Sequence, residues 1–293
     1  MAKSAPAPKA EEPVPAVVAP SPLAMPDWAK EYSGPVGTEN IDSGDVNIPR
    51  LKLAQSMTPE VKDRIVQDGD LFHSITKEVI IAVGSSGLVV PVVYQKEFIL
   101  WRDRSDGGGI FARAHREVQN DGTVRYAWDK PNSVFTTKIK GAVKVEWKTK
   151  HYIDEDGLSE FGTMVPGDRE SPPAATAHFN YVMYLPDRGD MVAVSFARSA
   201  AKRAKDLNAM LKMGGAPIFM RQFALSTIPD QNEAGDKFFN YSIVPAGFIQ
   251  DRDLFLRLQK MHMEMRDRSV TVDYSDEADA SQSSAAEAER QAF

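Results

Sequence analysis

The chain has 293 residues, 42% of them hydrophobic, and a formal net charge of −6. It contains no cysteine, which excludes disulfides, thiolate metal sites and a cysteine nucleophile. His73, His115, His151, His178 and His262 never pair at metal-ligand spacing, and no apolar run approaches the ~18–20 residues of a membrane span. Pro and Glu interrupt the N-terminal stretch, so it lacks the apolar core of a secretory signal, and a cytoplasmic protein without cofactor or metal is expected.

The average charge hides a gradient. Residues 1–50 carry four Lys/Arg against seven Asp/Glu, and residues 273–293 carry one against six, so the body 51–272 stands at +2. Acidic ends flank a mildly basic body, a distribution that suits an anionic partner.

Residues 1–48 hold eight prolines among alanines and read as a disordered or extended arm, with Trp28 and Tyr32 its only aromatics. The folded domain is expected over 49–268. It opens with a short helix at Thr58-Pro59-Glu60, where Thr caps and Pro fits the first turn. Strands are expected at 78–83 and 88–101 and again on either side of Asn120-Asp121-Gly122, a hairpin signal. Two more flank Gly141 over 134–152, a loop follows over 154–174, and a hairpin spans 177–196. A helix over 199–213 carries an apolar stripe of Ala200, Ala204, Leu207 and Leu211, with Ser199 as its expected cap and Gly214-Gly215 ending it. Strands over 218–228 and 237–244 and a helix over 251–268 complete the domain, the last repeating the stripe with Leu254, Leu258, Met261 and Met265. The class is mainly β (α+β). Strands with one helix before the last pair fit an OB-like antiparallel barrel, and a β-sandwich is the competing arrangement.

Residues 269–293 are expected to form a disordered acidic tail. Asp276, Glu277, Asp279, Glu287 and Glu289 have little apolar surface beside them, and the chain closes on a lone aromatic, Phe293. Such a segment suits a partner-binding role.

Charge and aromatics interleave over 125–152, where seven cations face Asp129 and Glu146 only. Lys138, Lys140, Lys144, Lys148 and Lys150 are candidates for phosphate contacts, and Tyr126, Trp128, Trp147 and Tyr152 are candidates for base stacking. A solvated lysine face with Trp147 in the core would give the same alternation. Arg198, Lys202 and Lys205 lie opposite the apolar stripe of the helix, and Arg102, Arg104 and Arg113 surround a triple glycine. That glycine run has no Lys-Ser/Thr after it, so it is no P-loop. Glu146-Trp147-Lys148 matches half of a PD-(D/E)xK nuclease pattern, with Asp129 the only near acid. No catalytic residue or metal site is assigned.

The strand–helix–strand order around 199–213, the basic–aromatic strands 125–152 and the tail 273–293 together resemble phage single-stranded DNA-binding proteins. The phrases Asn47–Leu53, Ala204–Asn208 and Phe239–Phe248 are also similar to tailed-phage proteins. The resemblance implies an OB fold, binding of single-stranded DNA in phage replication or recombination in the host cytoplasm, and no enzymatic activity. It also implies a tail that engages replication or recombination proteins and competes with DNA. A virion or scaffold-like structural protein is the alternative, and homo-oligomerisation is left open.

Overall fold

The computed structural model describes residues 48–102, 108–137, 143–146, 150–164, 169–232, 235–266, 272 and 274, with the backbone alone over 134–137 and 143–146. The longest apolar run becomes the organising strand. β4 (Ser86–Trp101) is buried on both faces through much of its length, which explains why Val89–Val93 reads as continuous hydrophobicity and not as alternation. Pro91 has no N–H for a ladder, and the register with β9 shifts between Pro91 and Val93, where a bulge accommodates it.

β4 pairs antiparallel with three strands: β11 (Arg221–Gln231) along 86–89, β9 (Ala175–Leu185) along 90–100 and β5 (Ile110–Val118) along 97–101. β10 (Asp190–Ala197) extends the sheet beyond β9, β12 (Lys237–Phe248) beyond β11, and β6 (Val124–Trp128) beyond β5. Val118 faces Val124 across Asn120-Asp121-Gly122, as the hairpin signal predicts. β1 (Leu51–Leu53), β2 (Leu71–His73) and β3 (Val79–Ile81) form a small sheet, and β7 (Val134–Thr137) pairs with β8 (Val143–Glu146). The fold is thus mainly β and antiparallel; the described ladders include no pair that closes it into a barrel.

Among the described residues four α-helices decorate the strands. α1 (Pro59–Lys62) begins at Thr58, and α2 (Ile153–Asp156) falls in the segment expected to be a loop. α3 (Ala201–Met213) buries Ala204, Leu207 and Leu211 against β9, β10 and β12, as its period requires, and Ala200 just before it is buried with them. Ser199 does not cap it: a 3₁₀ turn over Arg198–Ala200 leads in, and Arg198 takes a left-handed φ of 51°. α4 (Arg252–Met265) is capped by Asp251, whose carboxylate accepts from the amides of Asp253 and Leu254, and it buries Leu258 among Val90, Val92, Val182 and Tyr184. Burying a leucine such as Leu207 or Leu258 is worth about 1.5–3 kcal/mol. No described helix is long and apolar enough to cross a membrane.

Strand alternation gives the central sheet two covered faces. Phe179, Tyr181, Met183, Val194 and Phe196 meet α3 on one. On the other, Val182 and Tyr184 meet α4, and beyond them Val272 and Tyr274 lie on Ile99 and Ala193. This corrects the expected boundary of the disordered tail at 269. Val272 is 1% exposed and Tyr274 0%, so the chain returns to the core after α4.

Candidate nucleic-acid interface

The expected basic–aromatic surface over 125–152 is largely neutralised where it is described. Arg125 donates to Asp154 at 2.6 Å and to Glu155 at 2.8 Å and lies 3.8 Å over the Tyr152 ring. Lys150 pairs with Glu117 at 2.7 Å, and Tyr152 is buried with its hydroxyl 3.3 Å from the same carboxylate. Trp128 is no stacking platform. It is 5% exposed, packs among Phe98, Leu100 and Ala114, and donates its indole N–H to Asp156 at 2.8 Å. The three consecutive acids of α2 supply most of this neutralisation; they stand just beyond the stretch whose charge looked unbalanced.

Lys144 lies on β8 opposite Thr136. Lys138, Lys140, Trp147, Lys148 and Arg104 lie outside the described residues, as do the tail positions Asp276, Glu277, Asp279, Glu287, Glu289 and Phe293. Arg102 is exposed. Arg113 turns inward, 3.6 Å from Glu97, and so is withdrawn from the surface role expected of it. Asp129, the acid a nuclease would need, accepts from the Arg113 backbone amide at 2.9 Å. Among the described residues no group of three or more His, Asp or Glu is placed to hold a metal ion.

A different constellation forms around Lys96. Its position on β4 directs it to the α3 side of the sheet, where its ammonium lies 4.5 Å from the Phe98 ring centroid, 5.3 Å from Tyr126 and 5.5 Å from Phe179. Burial, then repulsion from Lys205 on α3, push its pKa down. No carboxylate among the described residues pairs with it; ring faces supply its electrostatic compensation. Tyr126 stands edge-on to Phe98 at 4.9 Å and is half-buried; burial, then Tyr94, push its phenol pKa up, while Arg116 pulls it down. Tyr94 packs on Tyr181 at 4.9 Å, and Tyr181 donates to Asn208 of α3 at 2.7 Å. Lys202 and Lys205 are exposed, three residues apart on α3, and Arg198 is exposed at its start. The fold therefore joins Tyr126 and Lys205 of the expected set through Lys96. Sequence reading missed Lys96 because Gln95-Lys96-Glu97 reads as a locally neutral polar step between two apolar runs; the usable signal was Tyr94-x-Lys96-x-Phe98 on a single strand face.

The opposite face carries a polar slot filled by Tyr274. Its hydroxyl lies 3.1 Å from Glu97, 2.9 Å from Asn180 Oδ1 and 3.2 Å from Ser195 Oγ. Asn180 Nδ2 donates to Glu97 at 2.6 Å, and His178 Nδ1 is 3.3 Å from Ser195. The Arg50 and Arg113 guanidinium groups lie 4.6 and 5.2 Å from the Tyr274 ring centroid, and His178 stands edge-on to it at 4.9 Å. Burial first, and the Glu97 charge second, push the phenol's pKa up.

No curated protein and no solved structure matches this chain. A family model does, over residues 18–271, which takes in the Lys96 cluster and every strand and helix described above. The chain belongs to the family of Pam3 phage gp34-like proteins.

Proposed function

We propose that this phage protein is a non-enzymatic, sequence-tolerant single-stranded DNA-binding protein acting in replication or recombination. The observation that carries this reading is Lys96, a half-buried cation whose charged neighbour is another lysine and whose remaining surroundings are aromatic rings. Holding a positive charge there with no carboxylate partner among the described residues costs free energy that ring faces offset in part, and an incoming phosphate would recover more of it. Tyr126 beside it offers a ring for a base, and Lys202, Lys205 and Arg198 extend the positive surface along α3. Because rings and phosphates are common to every nucleotide, such contacts are tolerant of sequence.

The test is titration of labelled oligo(dT) at several salt concentrations. Affinity is expected to fall steeply between about 50 and 200 mM salt, and Lys96→Met should flatten the log–log slope by about one. Absence of binding at ~50 mM salt would sink the reading.

A further inference from the structure

The β5–β6 hairpin outruns the strand that carries it. Its ladder with β4 ends at the Glu97–His115 pair, yet β5 and β6 stay paired through Arg116–Tyr126, Glu117–Arg125 and Val118–Val124. The hairpin therefore continues as an arm rooted beside Lys96, and period-two alternation gives it two unlike faces. One face is covered. The Tyr152 ring centroid lies 3.8 Å from the Arg125 guanidinium there, its hydroxyl is 3.3 Å from Glu117, and Asp154 and Lys150 complete the ion pairs. The other face is open. It begins at Tyr126, whose ring centroid is 5.3 Å from the Lys96 ammonium, and runs outward through Arg116, Val118 and Val124. Arg116 is exposed, with no carboxylate paired to it among the described residues. Val118 and Val124, directly across from each other, are 57% and 41% exposed. One hairpin thus gathers its carboxylate pairs on one face and leaves a cation and apolar surface on the other. α3 flanks Lys96 as well: Asn208 accepts from Tyr181, on which Tyr94 packs, and Lys205, one turn earlier, repels the Lys96 ammonium.

We propose that this arm is the second wall of the strand-binding cleft: a single nucleic-acid strand lies on Lys96 between α3 and the hairpin, with Lys205 and Arg116 on successive phosphates and Val118 and Val124 against its bases. The proposal rests on the single-strand-binding reading above and adds to it Arg116, the valine pair and a class of ligand. Cations on three separate elements suit a ligand that carries several phosphates in a row, so a strand binds and a mononucleotide binds weakly. Apolar side chains beside those cations suit bases whose faces are free, which a duplex keeps stacked on one another. The arm's opposite face cannot serve in the same way, because its cations already hold Asp154 and Glu117.

The chain has no cysteine, so a single introduced thiol reports on a single place. Oligo(dT) at ~10 times its Kd is expected to slow maleimide labelling of the full-chain Val118→Cys variant about tenfold, by mass action. Labelling of Leu256→Cys, on α4 across the sheet, should not change, and dTMP should protect neither variant. Arg116→Met is expected to flatten the log–log salt slope of oligo(dT) binding by about one, whereas Arg125→Ala on the covered face leaves it unchanged. Replacing Val118 and Val124 together by Ser should weaken binding about threefold with the slope intact. These side chains, Arg125 apart, are exposed, so the variants are expected to fold. A slope that Arg116→Met does not alter, unhindered labelling of Val118→Cys in the bound state, or equal protection by dTMP would overturn the proposal. So would labelling that slows with protein concentration and ignores oligo(dT), which would make the valines a contact between copies of the chain. The two readings fail distinguishably. Oligo(dT) binding that needs Lys96 but neither Arg116 nor the valines removes the arm alone, whereas no binding at ~50 mM salt removes the Lys96 reading and the arm with it.

Discussion

Lys96 and Glu97 are neighbours on one strand, the first half-buried and the second buried, and the sheet turns them to opposite faces with opposite outcomes. Glu97 is held by Asn180, Tyr274 and Arg113 at 2.6, 3.1 and 3.6 Å, so its charge is answered inside the protein. Lys96 is answered by ring faces and repelled by Lys205. A buried charge with a full set of partners serves the fold, whereas one left without a counter-ion is a cost that stability does not explain. The contrast separates an anchoring face from a binding face.

The largest expected effect breaks the anchoring side. Removing one member of a buried ionic network leaves the others uncompensated, so Glu97→Ala should cost about 3–5 kcal/mol in denaturant unfolding. Tyr274→Phe keeps the ring but strips the hydroxyl from Glu97, Asn180 and Ser195, and is expected to cost about 1–3 kcal/mol. It follows that a test of tail competition must cut after Tyr274. Ending the chain at Arg268 would remove Val272 and Tyr274 and confound tail loss with a damaged core.

The binding side should respond in the opposite way. Lys96→Met keeps the stem that lies along Phe98 and Tyr126, so stability is expected to change by less than about 1 kcal/mol or to rise, while oligo(dT) affinity falls about tenfold at low salt. The sign with pH follows from the depressed folded pKa. An amine that binds its proton less readily when folded penalises the fold while protonated, and the penalty fades as pH climbs from the folded pKa towards the ordinary value of 10.5. Wild-type stability measured against Lys96→Met should therefore rise with pH in that alkaline window. A flat difference would mean that Lys96 is solvated and the binding face ordinary.

Local patterns were legible in sequence and long-range partners were not. The α3 stripe and the 118–124 hairpin follow from periods and turn residues that act within a few positions. Tyr274 looked like the start of a tail because its neighbours in sequence are acidic. Its partners Glu97, Asn180 and Ser195 stand 177, 94 and 79 residues away. Lys96 was hidden because Glu97 beside it cancels its charge along the chain, and Trp128 looked available for stacking because its acceptor, Asp156, lies on a helix read as a loop. Charge counted along the chain stopped at Tyr152, two residues short of the acids that cancel it.

The smallest expected effect sharpens the comparison from a third region. Arg125, partly exposed, and Lys150, exposed, are cations that already hold carboxylates, at 2.6 Å to Asp154 and 2.7 Å to Glu117. Binding a phosphate there would require breaking an existing pair, so the net gain is small. Arg125→Ala and Lys150→Ala should each change oligo(dT) affinity by less than about twofold and leave the salt slope within half a unit. Asp154→Asn is the informative partner, because it frees Arg125 without removing a cation. If Asp154→Asn tightens binding while Lys96→Met weakens it, what decides a cation's role is the presence of a protein counter-ion; if Arg125→Ala weakens binding as much as Lys96→Met, the interface runs across both regions and the distinction between answered and unanswered charge fails.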